Sequence, residues 1–247
     1  MEVIFIGSGT GVPSNKRSSP GIIIKIADEV LLFDTGPGSL RKMAEAGFTY
    51  NDVDWIFYTH FHVDHIADFA PFLFATKSPL LLREKDLTVT GPKGMKKFYE
   101  DLVHLYGNQI VSNRYKIFFK EVEKDEILKN DWKVKTKPLP HTENSIGYRI
   151  ESENKIVVYS GDTDYCEALV EFGKDADLLI LECSFPEKVD GHLSPEFAGR
   201  TAKEAKAKRL ILTHLYPVCD SYDIKKQCVK GFSGDITVAY DLMHITV

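Results

Sequence analysis

Within the six residues 60–65 the chain places His60, His62, Asp64 and His65, four side chains able to bind a metal, while the whole sequence has eight histidines. A single histidine is usually an ordinary core or surface residue. Four ligand-type side chains at positions x, x+2, x+4 and x+5, straight after the apolar run VDWIFYT (53–59), call for another account. In an extended segment, side chains two apart project to the same side, so His60, His62 and Asp64 can converge. His65 reaches the same space from the start of the next element. Imidazole and carboxylate are the usual zinc ligands, and a site left with an open position is catalytic rather than structural. The four could close one structural site, but the adjacent pair Asp64 and His65 would join His60 and His62 around a single tetrahedral ion only with strain. A split between two ions is geometrically easier.

Two ions need further ligands. His141 follows a strand-like segment in PLPHTENS, Asp162 follows KIVVYS in YSGDTDY, and His214 follows RLILT in LTHLYP. Each stands at the carboxyl end of an apolar strand, where open α/β sheets place their sites. His104, inside the helical stretch MKKFYEDLVHLYG (95–107), and His244, in a terminal strand, fit structural roles.

The elements that must position these residues alternate along the chain. EVIFI (2–6) is a strand running into the Gly/Ser/Pro-rich loop GSGTGVPSNKRSSPG, and GIIIKI (21–26) and VLLFD (30–34) are strands joined by a hairpin-like turn at ADE. SLRKMAEAG is a short amphipathic helix closed by Gly47. VDWIFYT is a nearly continuous apolar run, with Asp54 its one charged residue, as a strand buried on both faces would be. After the histidine cluster, Ile66, Phe69, Leu73 and Phe74 recur at helical spacing. LTVTG (87–91), KIFFKEV and DWKVKTKPL read as strands, IGYRIES (146–152) and KIVVYSGD (155–162) as a hairpin, and ADLLILECS (176–184) as another buried strand. SPEFAGRTAKEAKAK (194–208) predicts a helix with Ser194 as N-cap and Pro195 at its first position. A short helix and two strands end the chain. Strands first, then β–α alternation twice over, predict an α/β domain of sheets covered by helices on their outer faces, spanning residues 1–247.

Composition sets the outer bounds. A length of 247 residues, 43% apolar and 27% charged, allows a large buried core. No apolar run approaches the roughly 20 residues that span a bilayer, and MEVIFIGSG does not read as a signal peptide. A formal net charge of −5 argues against a protein that coats nucleic acid. Cys166, Cys183, Cys219 and Cys228 are widely spaced with no C-x-x-C pair, so they are expected to be reduced, mostly buried residues of a cytoplasmic protein.

The motif T-H-F-H-V-D-H at 59–65, with His141, Asp162 in SGDTD and His214 in LTH, resembles the metallo-β-lactamase superfamily over essentially the whole chain. That resemblance implies an αβ/βα four-layer sandwich, two mixed β-sheets face to face with helices outside and metals at one edge. It puts His60, His62 and His141 on one zinc and Asp64, His65 and His214 on the other, with Asp162 bridging. Histidine at 62, where flavodiiron oxidoreductases of this fold carry Glu, implies zinc hydrolysis. A bridging aspartate is the pattern of phosphodiesterase and thioesterase branches. FIGSGTGVPSNKRSSPG and DGHLSPEFAG resemble ribonuclease Z, in which a histidine placed as His192 is catalytic. Only residues 142–161 separate His141 from Asp162, so the tRNA-gripping arm of ribonuclease Z has no room. The chain ends in strands, ITVAYDLMHITV, rather than in the helical extension with which glyoxalase II binds glutathione.

The resemblance therefore implies a compact ribonuclease Z-like phosphodiesterase for small or nucleotide-like diesters, using two divalent ions (zinc, with manganese or iron as substitutes) that yield a bridging hydroxide at neutral pH. Asp64 would orient the hydroxide and take its proton, and His192 would act as general acid. Asp68, Asp164 and Glu182 are candidates to hold the ligand histidines. The loop 8–20, with Ser8, Thr10, Ser14, Lys16 and Arg17, either offers phosphate-binding groups or is simply solvated. The competing readings are a thioester, lactone or sulfate-ester hydrolase at the same site, a ribonuclease Z-type tRNA 3′ endonuclease, and a non-catalytic metal-dependent binding protein. Many relatives are dimers, which makes a homodimer an expectation; tRNA is not an expected partner.

Overall fold

In the stretch VLLF, Leu31 and Phe33 point into one apolar cluster while Val30 and Leu32 point into another. This period-two alternation decides the layering of the protein. The computed structural model describes all 247 residues. Its first sheet contains β1 (Glu2–Gly7), β2 (Gly21–Ile26), β3 (Glu29–Phe33), β4 (Val53–Phe57), β5 (Leu87–Gly91) and β6 (Ile117–Glu121) in sequence order. The second contains β7 (Glu126–Leu128), β8 (Lys133–Pro138), β9 (Ile146–Ser152), β10 (Lys155–Tyr159), β11 (Leu178–Glu182), β12 (Arg209–Thr213) and β13 (Asp235–Val238). The last strand, β14 (Met243–Thr246), returns to the first sheet and pairs antiparallel with β1. The last two strands, β13 and β14, thus lie in different sheets. β3 through β6 run parallel, and so do β10 through β13, which brings two sets of carboxyl strand ends to the sheet edges.

Between the sheets lies the central core. Phe5, Ile22, Ile24, Phe33, Trp55 and Phe57 face Val134, Tyr148, Ile150, Val157, Tyr159, Leu178 and Ile180. Phe33 and Phe57 stack at 4.8 Å, and both meet Tyr148 edge-on at 5.5 and 5.4 Å, the offset and T-shaped geometries that ring quadrupoles favour. The opposite side chains of the first sheet (Ile4, Ile6, Ile23, Leu32, Ile56) pack under α1 (Ser39–Glu45), α2 (Val63–Ile66), α3 (Phe69–Ala75) and α4 (Met95–Tyr106) through Met43, Ile66, Phe69, Phe72, Leu73 and Met95. Those of the second sheet (Val158, Leu179, Leu181, Leu210, Leu212) pack under α5 (Glu167–Phe172), α6 (Pro195–Glu204) and α7 (Ile224–Val229). The result is the four-layer αβ/βα sandwich implied by the resemblance. No helix is long and apolar enough to cross a membrane.

Several local expectations need correction. The helix expected over 194–208 ends at Glu204, because Lys206 turns into the left-handed region (φ 54°) and its successors feed β12. Ser194 caps it by accepting from the Phe197 N–H, with Pro195 in the first turn. After the histidine cluster, the helical spacing is split into α2 and α3, since the chain pauses at Asp68 to accept from the Leu40 N–H. Gly47 adopts φ 84°, the left-handed close of α1 that its position suggested. The four cysteines are free, three of them buried.

Candidate metal centre

Four strand ends deliver the cluster. β4 runs into Tyr58, Thr59 and His60; the turn then carries His62 into α2, which presents Asp64 and His65. From the second sheet, β8 leads to His141, β10 to Asp162 and β12 to His214. The side chains of His60, His65, Asp162 and His214 are sealed, whereas His62 is exposed. His214 and Asp34, the latter at the end of β3, hold left-handed backbone conformations (φ 55° each), two strained positions beside the cluster.

The ligand-type atoms form two groups sharing one carboxylate. The ligating atoms of His60, His62, His141 and Asp162 all lie within 4.8 Å of one another, and so do those of Asp64, His65 and His214. In the first group His141 Nε2 is 3.2 Å from His62 Nδ1, and Asp162 Oδ2 is 3.6 Å from His141 Nε2 and 3.9 Å from His60 Nε2. In the second, His65 Nε2 and His214 Nε2 are 3.2 Å apart, and Asp64 Oδ2 is 3.4 Å from His214 Nε2. Asp162 turns its other oxygen to this group, with Oδ1 3.3 Å from His65 Nε2 and 3.4 Å from His214 Nε2.

The donor set fits divalent cations. Ligand atoms about 2.1 Å from a tetrahedral ion stand about 3.4 Å from each other, close to the separations found here. His60 Nε2 and Asp162 Oδ1 are buried without any hydrogen-bond partner, a costly arrangement that a cation would relieve. Burial, aided by His65, pushes His60 down to about 2, leaving it a neutral lone-pair donor. Burial and His141 likewise lower His62. Burial opposes ionisation of Asp64 and Asp162, yet His214 and His65 hold both below the usual carboxylate range. His65 runs the other way: burial lowers it, but Asp162 and Asp34 outweigh burial and hold it up. A cation at that position would compete with a proton, as metal binding generally does.

Outer partners set the tautomers. Asp34 Oδ2 accepts from His65 Nδ1 at 2.8 Å and from the Tyr159 hydroxyl at 2.9 Å, and Asp34 Oδ1 accepts from the Thr59 N–H at 2.8 Å. Thr59 Oγ1 donates to Asp34 and lies 3.0 Å from His60 Nδ1, so it accepts the Nδ1 proton. His141 Nδ1 donates to the Gly191 carbonyl at 2.9 Å. Ser184 Oγ donates to Glu182 Oε2 at 2.6 Å and accepts from His214 Nδ1 at 2.9 Å. Each chain leaves Nε2 bare and aimed at the cluster, and only His62 presents Nδ1.

His192 joins the cluster from the loop between β11 and α6. Its ligating nitrogen lies within 4.8 Å of those of Asp162 and His214. Its Nδ1 donates to Glu182 Oε1 at 2.8 Å, and although burial lowers its pKa, Glu182 outweighs burial and raises it. Of the three outer-partner candidates, Glu182 serves His192 and, through Ser184, His214. Asp164 accepts from the Gly191 N–H at 3.0 Å and so steadies the carbonyl that holds His141. Asp68 is engaged with α1 instead. Asp34, Thr59 and Ser184 escaped the sequence reading. The signal available for Asp34 was a lone carboxylate closing the buried run VLLF.

The loop 8–20 is solvated at its tip, where Gly11, Val12, Pro13, Asn15 and Lys16 are exposed, and anchored at its base. Arg17 is spent on Asp220 at 3.4 Å, Ser8 Oγ at 3.0 Å and the Ala239 carbonyl at 2.5 Å, and Lys16 faces Asp220 at 3.6 Å. Asp241 accepts from the N–H groups of Ser8 and Ser18 at 3.0 and 2.7 Å, pinning both limbs of the loop. Between them the Gly11 N–H donates to Asp64 Oδ2 at 2.9 Å. The loop's contribution is to orient Asp64. Below it Gly36 lies against the cluster's backbone: a Cβ there would fall 2.0 Å from the Asp64 carbonyl oxygen.

Residues 30–215 match the family described as the beta-lactamase superfamily domain. The probable metallo-hydrolase YhfI of Bacillus subtilis is 30% identical over 254 residues, covering 97% of each chain. Its crystal structure superimposes with a TM-score of 0.85 at 26% identity, covering 99% of both chains. Ribonuclease Z of Bacillus subtilis is 26% identical over 310 positions that cover 100% of this chain and 99% of the relative. That alignment exceeds the 247 residues here, so the ribonuclease carries segments this chain lacks.

Proposed function

The chain belongs to the beta-lactamase superfamily, and on that premise we propose that residues 1–247 act as one hydrolase domain, a dinuclear metal-dependent phosphodiesterase for small or nucleotide-like diesters. His60, His62 and His141 would hold one divalent cation and Asp64, His65 and His214 the other, with Asp162 shared. Zinc is the first choice for this nitrogen–oxygen donor set, with manganese or iron as substitutes. Bound there, the pair would supply water activation and stabilisation of charge on the phosphoryl oxygens.

The observation that carries the diester reading is His192 on Glu182, at 2.8 Å. It is an imidazole beyond those needed for the two ligand groups, its pKa raised by a buried carboxylate, and it is placed at the cluster. A departing alkoxide needs a proton, and His192 is positioned to deliver it. Asp64, steadied by the Gly11 N–H, takes the proton lost by the attacking water as the water oxygen bonds to phosphorus and the phosphorus–alkoxide bond breaks. The similarity to ribonuclease Z adds a phosphodiester-cleaving relative. The span 142–161 is too short for the ribonuclease's tRNA arm, which favours small diesters over tRNA.

A second reading, hydrolysis of a thioester, lactone or sulfate ester, draws support from Arg17, whose guanidinium is spent on Ser8, Asp220 and the Ala239 carbonyl rather than offered to a phosphate. Hydrolysis of bis(p-nitrophenyl) phosphate, a thioester and a lactone by the zinc- and manganese-loaded protein separates the two. Diester turnover abolished in Asp64→Ala is the expected result, with only a small loss in His192→Ala because p-nitrophenolate leaves with little need of a proton. Thioester or lactone cleavage without diester turnover would transfer the site to acyl chemistry.

A further inference from the structure

Two large aromatic rings at the cluster belong to no core. Phe185 and Tyr216 stack with centroids 4.4 Å apart and planes at 21°. Both are half-buried, and neither packs into any of the three apolar clusters. They come from neighbouring strand ends, just beyond β11 and β12, tied by the Tyr216 N–H donating to the Ser184 carbonyl at 3.2 Å. Phe185 lies edge-on to His192, centroids 5.7 Å apart at 71°. Tyr216 stands 6.3 Å from the His214 ring at 80°.

We propose that Phe185 and Tyr216 form the subsite for the departing half of the substrate, and that they select a planar aromatic group, an aryl or nucleobase ring, carried by the oxygen that leaves. The proposal rests on the phosphodiesterase reading. If His192 protonates the departing oxygen, the substituent on that oxygen emerges beside the ring that meets His192, which is Phe185. A stacked pair offers a rigid apolar wall with a hydroxyl at its edge, the pattern by which proteins hold planar rings with little regard to their identity.

The test uses two diesters with the same retained methyl group: methyl phenyl phosphate, and a methyl fluoroalkyl phosphate whose departing alcohol matches phenol in acidity. In the zinc-loaded protein, Phe185→Leu and Tyr216→Leu should each lower the phenyl-to-alkyl ratio of kcat/KM at least about fivefold, the lower end of a lost stacking contact. A ratio unchanged in both variants overturns the proposal. Calorimetric titration with phenylphosphonate and methylphosphonate gives a reading independent of turnover: the wild type should prefer the phenyl compound, and Phe185→Leu should narrow that preference. Equal wild-type affinities also overturn it. If neither diester is hydrolysed, the phosphodiesterase reading fails, and the titration still decides whether the wall takes an aromatic ring.

Discussion

Asp34 Oδ2 accepts the Nδ1 proton of His65 across 2.8 Å, and neither side chain has any exposed surface. The pair fixes which nitrogen of His65 is bare. Asp34→Asn keeps the shape but can turn an amide N–H toward Nδ1, which favours the tautomer with its proton on Nε2. The variant should bind zinc about 10–100-fold more weakly, measured by competition with a chromogenic chelator. Undiminished affinity would mean that the tautomer is set elsewhere.

His192→Ala should hurt in proportion to how badly the departing oxygen needs a proton. For an alkyl departing group the loss in kcat should be about 10²–10⁴-fold, the usual contribution of general acid catalysis. For p-nitrophenolate, which leaves unaided, it should be far smaller, while metal content stays unchanged. An equal loss for both departing groups would assign His192 to charge stabilisation instead.

Gly36→Ala tests the packing beneath Asp64. The new methyl would overlap the Asp64 carbonyl oxygen at 2.0 Å and Ser19 Cβ at 2.6 Å, and both belong to segments held by backbone hydrogen bonds. Overpacking of this kind costs about 1–3 kcal/mol. Urea unfolding should register that loss, and zinc retention should fall as Asp64 and His65 shift. A variant with unaltered stability and metal content would show that the cluster's backbone has room to move.

Glu151 provides a pH signature remote from the cluster. Burial works against its ionisation, but Lys133 at 2.9 Å and Arg149 at 2.8 Å hold its pKa at about 2, below the ordinary 4.5. Because the folded value lies below the unfolded one, its stabilising contribution is complete above about 4.5 and is lost as pH falls toward about 2. Solvent reaching the half-buried carboxylate keeps the contribution modest. Thermal unfolding of wild type and Glu151→Gln should differ at neutral pH and converge across that window, with a constant difference counting against the ion pairs.

Much of this architecture is legible in the residues. Runs such as VDWIF and LLILE carry a single charged residue each, Asp54 and Glu182, because the strands are buried on both faces, which makes them visible without periodicity. His60, His62, Asp64, His65, His141, Asp162 and His214 stand out because ligand-type side chains follow such runs directly. What stays hidden is long-range. Asp34 and Ser184 act through hydrogen bonds to His65 and His214, 31 and 30 residues away, and although Asp34 closes the run VLLF, nothing local names its partner; Thr59 adjoins His60 but is held by Asp34, 25 residues away. Arg17 looks like a free cation until Asp220 and Ala239, 203 and 222 residues on, are folded against it. The three-residue β7 is too short to show alternation.

The cluster is drawn from both sheets, His60 to His65 from the first and His141, Asp162 and His214 from the second. Neither half of the molecule holds a complete set, so the order of synthesis has a consequence. A chain emerging from the ribosome exposes four ligand-type side chains by residue 65, but it cannot assemble either of the two groups in full until much later. His141 and Asp162 complete the first, and His214, 149 residues after His65, completes the second. The centre therefore waits on the second sheet, and an ion caught early would be held only loosely by a half-built seam.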